Sequence, residues 1–215
     1  LTTVPNSFPI LTMPKGYRTI IEPHNDWVLE LDYNAAELRT VLALSGKEQP
    51  TGDIHEWNIQ YLFKQKITRD EAKTNIFAWL YGSNSLSTID GDITKTLSEV
   101  YRKEEIVRQH WTGTHVRTRF GRTIPSDNHH ALSYIIQSSC VDVVLRRLIQ
   151  ISDRLRNLKS RVAFTLHDSV YIDHANEDRG LIPELINLFG HNELGDFKVN
   201  VQAGRDFGTM KELKL

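Results

Sequence analysis

Two apolar runs, Val162-Ala-Phe-Thr-Leu166 and Val170-Tyr-Ile172, are separated only by His167-Asp168-Ser169. So short a link closes a tight hairpin and leaves an acid at its tip. Other strand-like runs are Trp27-Val-Leu-Glu-Leu31, which ends at Asp32, a run over 116–122 closed by Gly121, and a last run from Phe197 to Val201. Helical patterns lie between them. Ala35 to Leu44 is stopped by Ser45-Gly46, and a second helix opens at Gly52-Asp53 and runs through about Lys64. Thr68 is placed to cap a third helix, with Glu71 at the capping-box position. Gly82 supplies its left-handed stop. Residues 86–110 and 129–158 also read as helical, the latter with a break near Ser138-Ser139, and 177–189 is a final helix. Residues 1–25 hold four of the seven prolines and read as an extended entry. The pattern predicts an α+β fold, an antiparallel sheet carrying a helical insertion.

Bulk properties narrow the function classes. The 215 residues allow one large or two small domains. No stretch approaches the roughly 20 apolar residues that span a bilayer. The first residues carry no basic segment followed by an apolar run, so they do not read as a signal peptide. A single cysteine, Cys140, excludes an internal disulfide and fits a reducing, cytoplasmic compartment. The net charge of −1 excludes a simple basic clamp on nucleic acid. It leaves room for an enzyme that binds DNA on one face and metal on carboxylates. There is no Walker A or dinucleotide fingerprint, and no Cys/His spacing for zinc. Ser169 beside His167-Asp168 is sequence proximity on a hairpin, not a hydrolytic triad.

Three segments carry candidate chemistry. In Asp32-Tyr-Asn-Ala-Ala-Glu-Leu-Arg39, an acid stands at a strand end just before a helix. An aspartate there also serves as a helix cap. In the segment from Arg69 to Gly82, Arg69, Lys73, Phe77 and Tyr81 recur every four residues. Each step of four drifts by only about 40°, so the four share one face. Two cations followed by two aromatic rings suit the phosphates, sugar and base of a nucleoside triphosphate. An ordinary amphipathic helix gives the same spacing. The third segment is the hairpin tip at Asp168, which is also a common place for a turn aspartate.

Together the three segments resemble, in order and spacing, motifs A, B and C of the family A DNA polymerases, the family of bacterial DNA polymerase I. The resemblance covers nearly the whole chain. It implies a polymerase palm with an inserted helical fingers subdomain: palm over 1–50 and 116–215, fingers over 51–115. It implies that Asp32 and Asp168 hold two Mg²⁺ ions, with the Tyr33 backbone carbonyl as a further ligand. Asp53-Ile-His55 is similar to the family's DIH segment, which would bring His55 to the triphosphate. Arg69 and Lys73 match the cations that hold the incoming phosphates. Phe77 matches the position that senses the sugar 3′-hydroxyl, and Tyr81 the residue that closes the pocket. Glu37 matches the steric gate against ribose. Phe120-Gly-Arg122 resembles the family's FGR segment, which places Arg122 on DNA. Gln137 matches a reader of the minor groove, and His167 a contact to the primer end. The stretch from Phe197 to Gly208 is similar to the family's final strand and C-terminal segment.

The chain departs from that pattern in places. Ser169 stands where most members carry glutamate, which bears on metal affinity. Ala35 replaces a glutamine, and His129 and Ser133 replace an arginine and an asparagine. Compact versions of this kind look phage-like. Leu1 to Asn6 resembles the middle of a family segment whose arginine would lie just upstream. The expectation is therefore a C-terminal piece, with a thumb, alone or with a 3′–5′ exonuclease, on a second polypeptide or upstream segment. The implied activity is DNA-directed addition of dNTPs to a primer on primer-template DNA. The competing readings are a degenerate primer-template binding subunit and a metal-dependent phosphohydrolase.

Overall fold

The computed structural model describes residue 10 and residues 12–63, 67–82 and 91–213. Leu1–Asn6, Lys64 and residues 86–90, on which some expectations fall, lie outside them.

The chain opens with a 3₁₀ turn at Lys15–Ile20, then strand β1 (Trp27–Tyr33). Helices α1 (Ala36–Leu44) and α2 (Ile54–Asn58) follow, the latter continued by a wider π-type turn at Ile59–Phe63. Next come α3 (Arg69–Tyr81), α4 (Gly91–Tyr101) and α5 (Lys103–His110). Two short strands, β2 (His115–Arg117) and β3 (Thr123–Pro125), precede the long helix α6 (Asn128–Leu155). The hairpin β4 (Arg161–Leu166) and β5 (Ser169–His174) leads through a 3₁₀ turn at Asn176–Leu181 to α7 (Ile182–Gly190). The chain ends with β6 (His191–Asn192), β7 (Gly195–Asp196), β8 (Val199–Gly204) and β9 (Lys211–Glu212). The predicted α+β class is observed: β4, β5, β1, β8 and β9 form one sheet in that order, and all its pairings are antiparallel.

Two compact units divide the residues. The first is 1–33, 144–191 and 199–215; the second is 34–143 and 192–198. The first is built on the sheet. Period-two alternation gives β1 two faces. Leu29, Leu31 and Tyr33 are buried on one, where the Tyr33 ring stacks on Phe189 of α7 at 4.0 Å. Val28, Glu30 and Asp32 take the other. There Val28 packs with Tyr171 and Phe207, against Phe164 and Met210, leaving the strand's far end polar.

The second unit is helical, around a core that includes Leu38, Leu42, Ile76, Trp79, Leu97 and Ile135. Thr68 and Glu71 form the expected capping box on α3, and Gly82 ends it at φ 70°. Two local expectations fail here. The run 116–122 is not one strand: it turns at Gly121, φ 85°, and β2 pairs back on β3. The break at Ser138-Ser139 is absent. The Ser138 hydroxyl donates to the Tyr134 carbonyl one turn earlier, so its polarity is satisfied along the helix rather than by ending it. Among the described residues no helix is long and apolar enough to cross a membrane.

Candidate active site

The sheet unit carries the acids. Asp32 does not cap a helix: it lies inside β1, the middle strand of the sheet, and α1 begins behind Ala35 in left-handed geometry with no side-chain cap. Ser169 of β5 and Asn200 of β8 are its cross-strand partners on either side. Directly opposed residues on neighbouring strands share a face. The Ser169 hydroxyl donates to Asp32 Oδ1 at 2.6 Å, and Asn200 Nδ2 approaches Oδ2 at 3.5 Å. Glu30, two residues back on the same face, accepts from the Tyr171 hydroxyl. Burial pushes Asp32 above the usual carboxylate range, against the opposing pull of Ser169 and Asn200. Glu30 is raised by burial too, with Tyr171 opposing and Asp32 adding to the rise.

Asp168 sits at the tip of the β4–β5 hairpin, one residue from Asp32's partner Ser169. The register therefore gathers Asp32 and Asp168 at one end of two adjacent strands. The tip residue His167 is exposed and adopts φ 54°, a left-handed conformation uncommon outside glycine. Tyr33 is buried, its hydroxyl donating to the Phe189 carbonyl at 2.6 Å. Its side chain is structural, and only its backbone is a candidate ligand.

Two carboxylates and a carbonyl are hard oxygen donors of the kind Mg²⁺ takes. A half-buried carboxylate such as Asp32 gains more from a nearby cation than one in water. The donor set therefore fits a divalent ion. Among the described residues no group of three or more His, Cys, Asp or Glu side chains gathers as a metal cluster.

The helical unit carries the cationic and aromatic face. On α3 the fully buried stripe is Ala72, Ile76 and Leu80, with Trp79 beside it. Arg69 and Lys73 are exposed, while Phe77 and Tyr81 are only half-buried, their rings 6.1 Å apart. The helix is thus amphipathic about a different stripe, and the four-residue face is left at the margin of the core. The Tyr81 hydroxyl donates to Glu37 at 2.6 Å, joining the two residues expected to close and gate the nucleotide pocket.

Asp53, which sequence reasoning left as part of a motif, is a hub. It caps α2 by accepting from the His55 and Glu56 amides at 2.9 and 3.1 Å. It also accepts from Asn34 at 2.9 Å and pairs with Arg69 at 2.8 Å. His55 is buried, and burial pushes its imidazole below the ordinary range. Its Nδ1 has no hydrogen-bond partner among the described residues. Arg122 is exposed and paired with Asp142; Gln137 is exposed on α6.

Burial alone would raise the Asp53 pKa, but Arg69, Asn34 and the Glu56 amide hold it well below the usual carboxylate range. A depressed acid contributes stability that is present above its unfolded pKa of about 3.9 and lost as pH falls through the folded value. Asp53→Asn is therefore expected to destabilise by about 1–2 kcal/mol at neutral pH. It should also flatten the fall in stability below about pH 4. Urea midpoints measured in steps from neutral to acid pH test this, and equal slopes in both proteins would refute it.

Basic residues near and just beyond the end of α6 are largely engaged by acids or carbonyls. Arg147 donates to the His191 carbonyl; Arg154 pairs with Glu184, Arg156 with Asp153, Lys159 with Glu177 and Arg161 with Asp173.

No protein-family model matches this chain. A DNA polymerase of Mycobacterium phage L5 is 24% identical over 172 residues, covering 67% of this chain and 28% of that polymerase. Among solved structures, the POL domain of Pol1 from M. smegmatis, in complex with DNA primer-template and dNTP, aligns with a TM-score of 0.71 and 18% identity. That alignment covers 90% of this chain and 42% of the other. The chain thus spans less than a third of the phage polymerase and less than half of the solved one. The structural match shows the fold, that of a polymerase POL domain. The resemblance read from the three motifs is matched by both comparisons.

Proposed function

We propose that this chain is the palm and fingers portion of a family A DNA polymerase and that it adds dNTPs to a primer 3′ end. The observation that carries the reading is the placement of Asp32 and Asp168 at one end of adjacent strands, in a sheet of the polymerase fold. Fingers are assigned to 51–115, inside the helical unit, and palm to 1–50 and 116–215, which include the sheet.

Asp32, Asp168 and the Tyr33 carbonyl would hold two Mg²⁺ ions, which supply activation of the primer hydroxyl and neutralisation of the leaving pyrophosphate. Everything else is positioning and charge. Arg69 and Lys73 bind the triphosphate oxygens, and Arg69 exchanges its Asp53 carboxylate for phosphate as it does so. His55, kept neutral by burial, contributes a ring nitrogen without adding a repelling charge near those cations. Phe77 and Tyr81 pack the sugar and base, and Glu37, fixed by the Tyr81 hydroxyl, blocks a ribose 2′-hydroxyl. Arg122, Gln137 and His167 contact primer-template DNA. A nearly neutral chain offers few phosphate contacts. Part of the duplex grip is therefore assigned to a thumb-bearing portion, upstream or on a second polypeptide, of a cytoplasmic enzyme in a bacterial or phage-infected cell.

The experiment is primer extension with Mg²⁺ and dNTPs, using this chain alone and with a thumb-bearing partner. Templated extension in either setting supports the reading. Primer-template binding without extension in both would favour a non-catalytic DNA-binding subunit. Phosphate release without extension would favour a phosphohydrolase.

A further inference from the structure

We infer that Ser169 and Asn200 are positioning residues that clamp the Asp32 carboxylate from both neighbouring strands, so that serine at 169 acts as a donor to the catalytic acid rather than as a lost metal ligand. The inference rests on the polymerase reading of Asp32.

The geometry is specific. β1 is the middle strand of the sheet, and Asp32 faces Ser169 on one side and Asn200 on the other. The two donors address different oxygens: Ser169 Oγ reaches Oδ1 at 2.6 Å, and Asn200 Nδ2 reaches Oδ2 at 3.5 Å. The serine contact has the short length of a hydroxyl bonded to an ionised carboxylate. Ser169 is 5% exposed, so water competes little for its hydroxyl. A hydroxyl carries one hydrogen; the short 2.6 Å contact directs it to Asp32, with Glu30 of the same face also within its reach. A carboxylate on a strand can turn about its last side-chain bond, a broad, soft torsion. Donors on both sides remove that freedom. Each oxygen keeps lone-pair capacity for a cation.

A glutamate at 169 would be an acceptor beside another acceptor and could not donate to Asp32 when ionised. Glu30 already occupies the same face, two residues before Asp32, and is engaged by the Tyr171 hydroxyl. A neutral donor at 169 keeps a third carboxylate off this face, where Glu30 and Asp32 are already half-buried. The polar rung Asn200–Asp32–Ser169 thus orients the acid with neutral groups.

The test uses the full chain and Mn²⁺ as the probe, read by electron paramagnetic resonance and so independent of catalysis. Ser169→Ala is expected to weaken Mn²⁺ binding about 5–10-fold and to lower kcat by a similar factor, within the range of an ordinary lost hydrogen bond. The KM for dNTP and the affinity for primer-template should be unchanged. Ser169→Thr, which keeps the hydroxyl, should restore both metal affinity and kcat. Asn200→Ala, on the other side of the acid and less buried, should weaken Mn²⁺ binding in the same direction and provides a second measurement if Ser169→Ala folds poorly. Wild-type Mn²⁺ affinity in both alanine variants would overturn the clamp, as would failure of Thr to rescue a folded Ser169→Ala defect. If Asp32→Asn removes Mn²⁺ binding and the clamp variants weaken it, yet no protein extends a primer, the clamp stands and the polymerase reading falls.

Discussion

Asp32→Asn is expected to lower nucleotide addition by at least about 1,000-fold while primer-template affinity stays within about twofold. A metal-held carboxylate contributes several kcal/mol to stabilising developing charge. Each 1.36 kcal/mol is a factor of about ten in rate. Asparagine keeps the shape and an oxygen to accept the Ser169 hydroxyl, so the sheet has no reason to reorganise. Its loss of charge even relieves the fold. Burial raises the Asp32 pKa, so the ionised acid destabilises the native state at neutral pH, and a neutral amide does not. The expected result is an inactive protein that melts no lower than the parent. It is read from single-turnover extension beside thermal unfolding. A variant that keeps more than a tenth of the activity would remove Asp32 from the catalytic centre.

The second large effect falls on stability. Arg39 is fully buried, and its guanidinium donates to three backbone carbonyls: Asn34 at 2.8 Å, Pro50 at 2.8 Å and Gly52 at 2.6 Å. A fourth bond reaches the Asn34 side chain at 3.3 Å. It thereby ties the exit of β1 to the loop that leads into Asp53. Burial pushes its pKa down to about 10, with Asp53 opposing, so it is still a cation at neutral pH. Arg39→Met fills similar space without donors and leaves these acceptors unpaired. The expected loss is about 3–5 kcal/mol, the cost of breaking a buried charged network. Arg39→Lys should recover little, because a single ammonium cannot reproduce a planar fork. Urea unfolding of the three proteins measures this. A loss below about 1 kcal/mol would mean that water takes over the carbonyls.

Much of this was legible before any coordinates. The capping box at Thr68 and Glu71 and the stop at Gly82 depend on neighbours along the chain, and so does the hairpin around Asp168. The four-residue face of α3 follows from helix geometry alone. What escaped reading depends on pairing across distance. Ser169 looked like a missing acid because its partner, Asp32, is 137 residues upstream, and only the strand register brings the two together. Asp53 and Arg69 are 16 residues apart on different helices, so their ion pair leaves no periodic trace. The burial of Arg39 leaves no sign in the sequence, because arginine is rarely buried whole. The run 116–122 was misread because Gly121 turns the chain within it instead of closing it.

The same long separations say when the acid face can exist. Asp32 meets its two clamping partners across 137 and 168 residues. Pairings of such range are formed late, because the entropy of closing the loop must be met before the contacts reward it. The helical unit draws most of its residues from one continuous stretch, 34–143, and can gather its core early. During synthesis, then, α3 is made and can fold while Asp32 still waits on an unpaired strand. The face that carries Asp32 is completed only after β8 has left the ribosome, so the acid and its two strand partners come together last.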